Sequence, residues 1–241
     1  MRLYLVTGDT GVVGHRIAEK ILLNPECKVL GVSRKHNERT TDLKARFKDR
    51  YEHLLFDLSN LEKIEEFFET EIKPKGPVNG FVNNSALAYD VLVSKAEVEK
   101  IVSMFTVNML SPIMVTKCVI NNMVENNIGG ALVHISSVTA HRGYPMLSMY
   151  GCSKGGMEAF SRGIAREWGK KSIRSNCVAP GYMKTDINSN LPEETAKKLY
   201  AATALKKETD VDNVAKMVWF LLSDDANSIT GEVIRVDCGE F

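Results

Sequence analysis

The sequence lacks any apolar run near the roughly 18 residues that a membrane-spanning helix needs; its longest runs are short, such as Met217 to Leu222. It also lacks a signal-peptide pattern. Leu3-Tyr4-Leu5-Val6 opens the chain with no basic region, long apolar core or cleavage site. The expectation is a cytoplasmic protein with no membrane partner. Cysteine is sparse: Cys27, Cys118, Cys152, Cys177 and Cys238 are an odd number, with no Cys-x-x-Cys pair and no histidine at ligand spacing. That pattern argues against a disulfide framework and against a metal site. Reduced core thiols are expected, because free cysteine behaves as a small buried hydrophobe. Excess charge of one sign is missing too. Lys and Arg total 31 against 30 Asp and Glu, and no basic stripe interleaved with aromatics forms, so no nucleic acid partner is expected. The expected partner is a small molecule.

What is present is an ordinary globular composition, 44% hydrophobic and 25% charged, with no repeat, low-complexity tract or linker in 241 residues. Leu3 to Val6 reads as a strand, Thr7-Gly8-Asp9-Thr10-Gly11-Val12-Val13-Gly14 as a glycine turn, and Ile17, Ala18, Ile21 and Leu22 fall at helical spacing. Glycines there let the backbone approach a pyrophosphate, while the helix N-terminus faces the negative charge. The second strand, Val29 to Val32, runs into Ser33-Arg34-Lys35-His36, and no Asp or Glu stands between Glu26 and Glu38. An acid in that region would bind the ribose 2'-hydroxyl of NAD, whereas an Arg accommodates a 2'-phosphate. The pattern therefore favours NADP(H), with Ser33 and Arg34 at the phosphate.

Further on, Leu54-Leu55-Phe56 before Asp57 is a third strand, and Leu61, Ile64, Phe67 and Phe68 mark an amphipathic helix. Phe81 to Ala86 is a fourth strand. A long helical stretch from about Glu97 to Asn126 holds Asn108 and, four residues on, Pro112, which has no N–H to return to the Asn108 carbonyl. A kink is expected there, with the freed carbonyl able to hold a water. Ala131 to Ile135 reads as a buried strand ending near Ser137, and strands near Ile173 to Val178 and at Val233 to Val236 follow. Helices are expected around Glu193 to Ala202 and from Val211 to Leu222. Strands alternating with helices at these lengths imply an α/β, Rossmann-type doubly wound parallel sheet of about seven strands, in one domain spanning 1–241.

Tyr150 and Lys154 are four residues apart on a helix that continues through Met157, Phe160, Ile164 and Trp168, so they share a face. A free phenol titrates near 10 and is a poor proton donor or acceptor at neutral pH, but a neighbouring ammonium favours the phenolate. Tyr150 is a candidate acid/base.

Taken in order, Thr7 to Gly14, Asp57, Asn83-Asn84-Ser85-Ala86, Asn108, Ser137, Tyr150, Lys154, Pro180-Gly181 and Thr185 resemble the short-chain dehydrogenase/reductase family across essentially the whole chain. The resemblance implies a catalytic tetrad of Asn108, Ser137, Tyr150 and Lys154. Ser137 would orient the substrate carbonyl and Tyr150 would protonate it. Lys154 would bind the nicotinamide ribose and lower the Tyr150 pKa, and the Asn108 carbonyl would anchor a relay water. Cofactor contacts are implied for Gly8, Thr10, Gly11, Val12, Val13 and Gly14 in the turn, and for Asp57 and Leu58 near the adenine. Others are implied for Asn83 and Ala86 along the ribose, and for Pro180, Gly181, Met183 and Thr185 near the carboxamide.

The turn departs from the short branch's usual Gly-x-x-x-Gly-x-Gly, reading Gly-x-x-Gly-x-x-Gly, but too few residues follow Thr185 for the substrate domain of the extended branch. Within the short branch the overall resemblance is to 3-oxoacyl-[acyl-carrier-protein] reductases, which implies NADPH-dependent reduction of a ketone to a secondary alcohol. An acyl-carrier-protein thioester is one expected substrate, and a free small ketone, polyketide or sugar-derived compound the alternative. A non-catalytic NADP-sensing regulator would not need the full tetrad. A carrier needs a basic docking surface, of which Lys170, Lys171 and Arg174 are the expected flank. The resemblance also implies a homotetramer or homodimer through the helices of Asn108 and Lys154; Val115, Val119, Met157, Phe160 and Ile164 exceed the needs of one sheet-facing stripe, yet core packing is expected to account for most of them. Substrate choice should lie in Leu87 to Val93, His141 to Leu147 and Tyr182 to Leu205.

Overall fold

The apolar runs read as strands above form one seven-stranded parallel sheet in the computed structural model, which describes residues 1–185 and 192–240. The strands are β1 (Arg2–Thr7), β2 (Cys27–Ser33), β3 (Tyr51–Leu55), β4 (Val78–Asn83), β5 (Gly130–Ile135), β6 (Ile173–Pro180) and β7 (Val233–Val236), in the order β3-β2-β1-β4-β5-β6-β7. Chain order reverses between β1 and β4, and ligands of open α/β sheets bind at such a switch point, outside the carboxyl ends of the strands.

Period-2 alternation divides each strand between two cores. On β1, Tyr4 and Val6 face α1 (Val12–Leu22) and, from the far end of the chain, α8 (Val211–Leu222), where Ile17, Ile21, Val214 and Val218 are buried. Leu3 and Leu5 face the other way, toward Ile64 and Phe68 and toward Val119 and Met123. Emptying one such position, as in Leu5→Ala, costs about 2–5 kcal/mol. A helix not anticipated from the sequence, α2 (Glu38–Phe47), follows β2. It buries only Thr40 and Leu43, so it shows no apolar stripe; reciprocal bonds between Asn37 and Thr40 start it, with Asn37 Oδ1 accepting from the Thr40 N–H at 3.2 Å and Thr40 Oγ1 accepting from the Asn37 N–H at 3.1 Å. The short α3 (Ile64–Phe67) sits between a 3₁₀ turn and a π-helical turn.

The long helix comprises α4 (Val98–Phe105), a π-helical turn at Thr106–Leu110 and α5 (Ser111–Glu125). The widened turn stands just before Pro112 and contains Asn108, so the irregularity expected from the missing N–H takes this form. By length and composition Val98–Glu125 would suffice to cross a bilayer. Here α5 packs on the sheet through Val115, Val119, Ile120 and Met123. Val115 and Val119, with Met157 and Ile164 of α6 (Ser148–Trp168), are core residues, as core packing predicts, and Phe160 packs half-buried against the cluster of Val115, Val119 and Ile164. The exposed apolar side chains of the long helix are instead Val98, Val102, Leu110 and Val124. Cys27, Cys118 and Cys177 are buried as expected, but Cys238 is half-buried and Cys152 lies exposed on α6. Among the described residues the remaining α-helix is α7 (Glu193–Ala201).

Candidate active site

The glycine turn is shaped by contacts within the protein. Gly8 adopts φ +73°, a conformation that L side chains rarely tolerate, and a Cβ on Gly14 would lie 2.2 Å from the Gly8 carbonyl oxygen. Asn84 braces the turn from the end of β4, its Nδ2 donating to the Thr7 carbonyl at 2.9 Å and the Gly8 carbonyl at 3.2 Å. Gly11 caps α1 without a side chain, which leaves the first N–H groups of that helix, at Val12, Val13 and Gly14, free for a ligand. Counted from Gly8, the middle glycine of the usual short-branch spacing falls on Val12, so a branched side chain begins the helix.

A cavity of about 800 Å³ runs along the carboxyl ends of the strands. Gly8, Thr10, Gly11, Val12, Val13 and Gly14 line one end together with Ser33, Arg34, Asp57 and Leu58. Ala86, Pro180, Gly181, Met183 and Thr185 line its length, and Ser137, Tyr150 and Lys154 the other end. Residues 186–191 of the segment expected to select substrate lie outside the described residues. Arg34 and Lys35 are exposed at the rim. The Asp57 carboxyl is held below the usual range by the Ser59 N–H at 2.9 Å and hydroxyl at 2.8 Å, with a further contribution from the Arg34 guanidinium. Asn83, expected along the ribose, is buried at the end of β4 and does not line the cavity, because alternation gives that position to Asn84.

Ser137 starts a 3₁₀ turn after β5, its Oγ accepting from the Thr139 N–H at 3.2 Å. Tyr150 and Lys154 lie on one face of α6, with Lys154 Nζ 5.6 Å from the Tyr150 ring centroid. Lys154 is buried and donates to the Ile135 carbonyl at 2.8 Å; burial pulls its pKa down to about 8. Burial raises the Tyr150 pKa, and the Asp90 carboxylate pushes it the same way. The direction is opposite to the lowering expected from the ammonium, because loss of hydration dominates. Asn108 stands behind the cavity rather than in it. Its Oδ1 accepts from the Leu87 N–H at 2.8 Å, and its Nδ2 donates to the Leu87 carbonyl at 2.9 Å and to Ser153 Oγ at 3.1 Å. The side chain thus clamps the segment after β4 to α6.

The basic flank expected for a carrier is at the wrong end of the molecule. From Tyr150 to Trp168 the helix advances about 27 Å at 1.5 Å per residue, so Lys170 and Lys171 sit beyond its far end, beside the start of β6. Arg174 is engaged inside the fold, donating to the carbonyls of Leu221 at 2.7 Å and Ser223 at 3.0 Å. Near Tyr150 the cavity is lined instead by Asp90, and Glu240 lies elsewhere on its wall; burial raises both carboxyl pKa values.

Free N–H groups at a helix start, two exposed cations and a long cleft ending at a buried ammonium fit a nicotinamide dinucleotide. Comparison with known proteins agrees. A family model described as Enoyl-(Acyl carrier protein) reductase matches residues 13–240. The chain is 31% identical to Carbonyl reductase family member 4 of Danio rerio, over 99% of this chain and 97% of that one. It is 29% identical to 3-oxoacyl-[acyl-carrier-protein] reductase FabG of Buchnera aphidicola subsp. Baizongia pistaciae (strain Bp), over 100% and 97%. The solved structure of ElxO with NADP bound superimposes with a TM-score of 0.90 at 26% identity, covering 99% of this chain and 98% of that one. The chain belongs to the short-chain dehydrogenase/reductase family and is an oxidoreductase of that family.

Proposed function

We propose that the protein reduces a ketone to a secondary alcohol with NADPH. The observation that carries this reading is the cavity itself, which joins the α1 N-terminus and Arg34 at one end to Ser137, Tyr150 and Lys154 at the other. When bound, NADPH supplies the hydride. Tyr150 donates the proton that the carbonyl oxygen takes up, and its raised pKa keeps the phenol in the form that can give one. The Ser137 hydroxyl turns the substrate oxygen toward Tyr150. Lys154 holds the ribose and carries positive charge beside the phenol as it ionises. Asn108 fixes the Leu87 segment and, through Ser153, the helix that carries Tyr150, whose carbonyl accepts from Ser153 Oγ at 2.7 Å.

The substrate reading supported best by the geometry is a free small ketone. Asp90 near Tyr150, Glu240 on the cavity wall, and the displacement of Lys170, Lys171 and Arg174 to the far end of the sheet leave no basic path for an acidic carrier among these residues. The name of the Buchnera relative favours a 3-oxoacyl thioester on acyl carrier protein instead. NADPH oxidation with acetoacetyl-carrier protein and with a panel of free ketones, at low and high salt, decides between them. Faster turnover of the carrier substrate, weakened by salt, would overturn the free-ketone reading. The protein is also proposed to work as a homotetramer or homodimer, supported by the exposed apolar residues of α4.

A further inference from the structure

Asp9, inside the glycine turn, is fully buried. Its Oδ1 accepts from Ser33 Oγ at 2.5 Å, and its Oδ2 accepts from the Tyr51 hydroxyl at 2.6 Å and lies 2.7 Å from His53 Nδ1. These three partners engage both oxygens, which offsets much of the cost of burying a polar side chain. Room for it is made on β2, where a Cβ on Gly31 would stand 1.7 Å from Asp9 Oδ2. The His53 ring in turn lies against His36, with ring centroids 4.6 Å apart.

Ser33 and His36 bracket Arg34-Lys35, the exposed pair at the cofactor end of the cavity. Both ends of that dipeptide are therefore fastened to one buried carboxylate, Ser33 directly and His36 through His53. A cation whose backbone is already fixed loses less freedom on meeting a phosphate than one on a loose loop. Asp9 is not itself an acid for the ribose hydroxyls, since both oxygens are engaged and the side chain is sealed from solvent.

We propose that Asp9 is a positioning residue for the 2'-phosphate of NADP(H): it holds the Ser33–His36 turn so that Arg34 and Lys35 meet that phosphate, and thereby sets cofactor selectivity without touching the cofactor. This rests on the NADPH reading above. The probes are adenosine 2',5'-bisphosphate and adenosine 5'-monophosphate, which differ only at the 2'-phosphate, titrated calorimetrically into wild type, Asp9→Asn and His36→Ala. Wild type should bind the bisphosphate at least about tenfold more tightly, as charge-assisted bonds to the phosphate imply. In both variants that ratio should fall by about fivefold or more, which is about 1 kcal/mol of lost discrimination. A merely structural role would lower the melting temperature and weaken both nucleotides equally, leaving the ratio unchanged. His36 is exposed, so His36→Ala decides the matter even where Asp9→Asn fails to fold. An unchanged ratio in the folded variants overturns the role of Asp9 and leaves the NADPH reading intact, whereas a wild type indifferent to the 2'-phosphate overturns both.

Discussion

The Lys154 ammonium nitrogen lies 5.6 Å from the centroid of the Tyr150 ring, and its hydrogen bond goes to the Ile135 carbonyl, 2.8 Å away at the end of β5. Burial drops the Lys154 pKa from 10.5 to about 8. Nearby on β5, His134 is sealed between Phe81 and Phe160, and burial with help from Lys154 brings its pKa down to about 4, so it stays neutral. A charge in this region is costly when no ligand faces it.

A pH dependence of stability follows. Between about 8 and 10.5 the unfolded Lys154 holds a proton that the folded one has released, so the unfolded state binds more protons and stability from this group rises with pH. Below about 8 both states are charged and the full burial cost is felt. The melting temperature of wild type minus that of Lys154→Met should therefore increase from pH 7.5 to pH 9.5 in the cofactor-free protein. A difference that stays flat would mean that Lys154 is better solvated than its burial indicates.

Replacing Tyr150 by Phe removes the proton donor and leaves the ring packing in place. General acid catalysis contributes about 10²- to 10⁴-fold, so ketone reduction should slow by at least the lower figure while NADPH still binds. Stopped-flow measurement of hydride transfer, beside a fluorescence titration of NADPH, separates the two. Normal turnover by the Phe variant would assign the proton to another group.

Most of the frame was legible because the sheet is buried on both faces, so its strands stand out as apolar runs between glycine turns. The legible part of the site was local: Gly8 to Gly14, and the Tyr150–Lys154 pair, lie within a turn or two of one another. What escaped was set by contacts between distant segments or by direction along an element. Helix α2 is held by a cap and two buried residues, too little for a periodic pattern. The partners of Asp9 come from β2 and β3 and converge only when the sheet forms. Asn84 rather than Asn83 lines the cavity because a strand turns successive side chains to opposite faces. Lys170 and Lys171, the expected flank for a carrier, are carried by the intervening helix to the other end of the sheet.

Gly14 should be intolerant of any side chain even though α1 is helical there. A Cβ 2.2 Å from the Gly8 oxygen forces the turn and helix apart, and overpacking of this kind costs about 1–3 kcal/mol or more. Gly14→Ala should lower the melting temperature and weaken NADPH, because the displaced helix start also carries the free N–H groups. Gly11, whose Cβ would meet the same oxygen at 3.4 Å, should accept alanine with a much smaller loss. Equal effects at the two positions would contradict this account of the turn.

Arg34 gives a direct test of cofactor choice. If it pairs with the 2'-phosphate, NADPH should bind at least about tenfold more tightly than NADH, and Arg34→Asp should reverse the order by offering ribose hydroxyls an acceptor and repelling the phosphate. Equilibrium titrations of both nucleotides with both proteins suffice. Equal affinities in wild type would mean that the basic turn is only solvated.

The outer face of α4 bears on assembly. Val98 and Val102 are 68% and 57% exposed, and their spacing of four places them side by side on one helix face. Leu92 and Val93, also exposed, precede that helix, and Leu110 follows it. Side chains of this kind contribute nothing to the core, and at about 25 cal/mol per Å² of apolar surface their burial favours association. Val102→Glu puts a charge at the centre of that face without disturbing the core. Light scattering should show wild type as a tetramer or dimer, and the variant as a smaller species with nearly the same melting temperature. A wild type that is monomeric at micromolar concentration would remove the proposed assembly. An unchanged oligomer in Val102→Glu would move the interface off α4 and leave those valines as solvent-exposed residues.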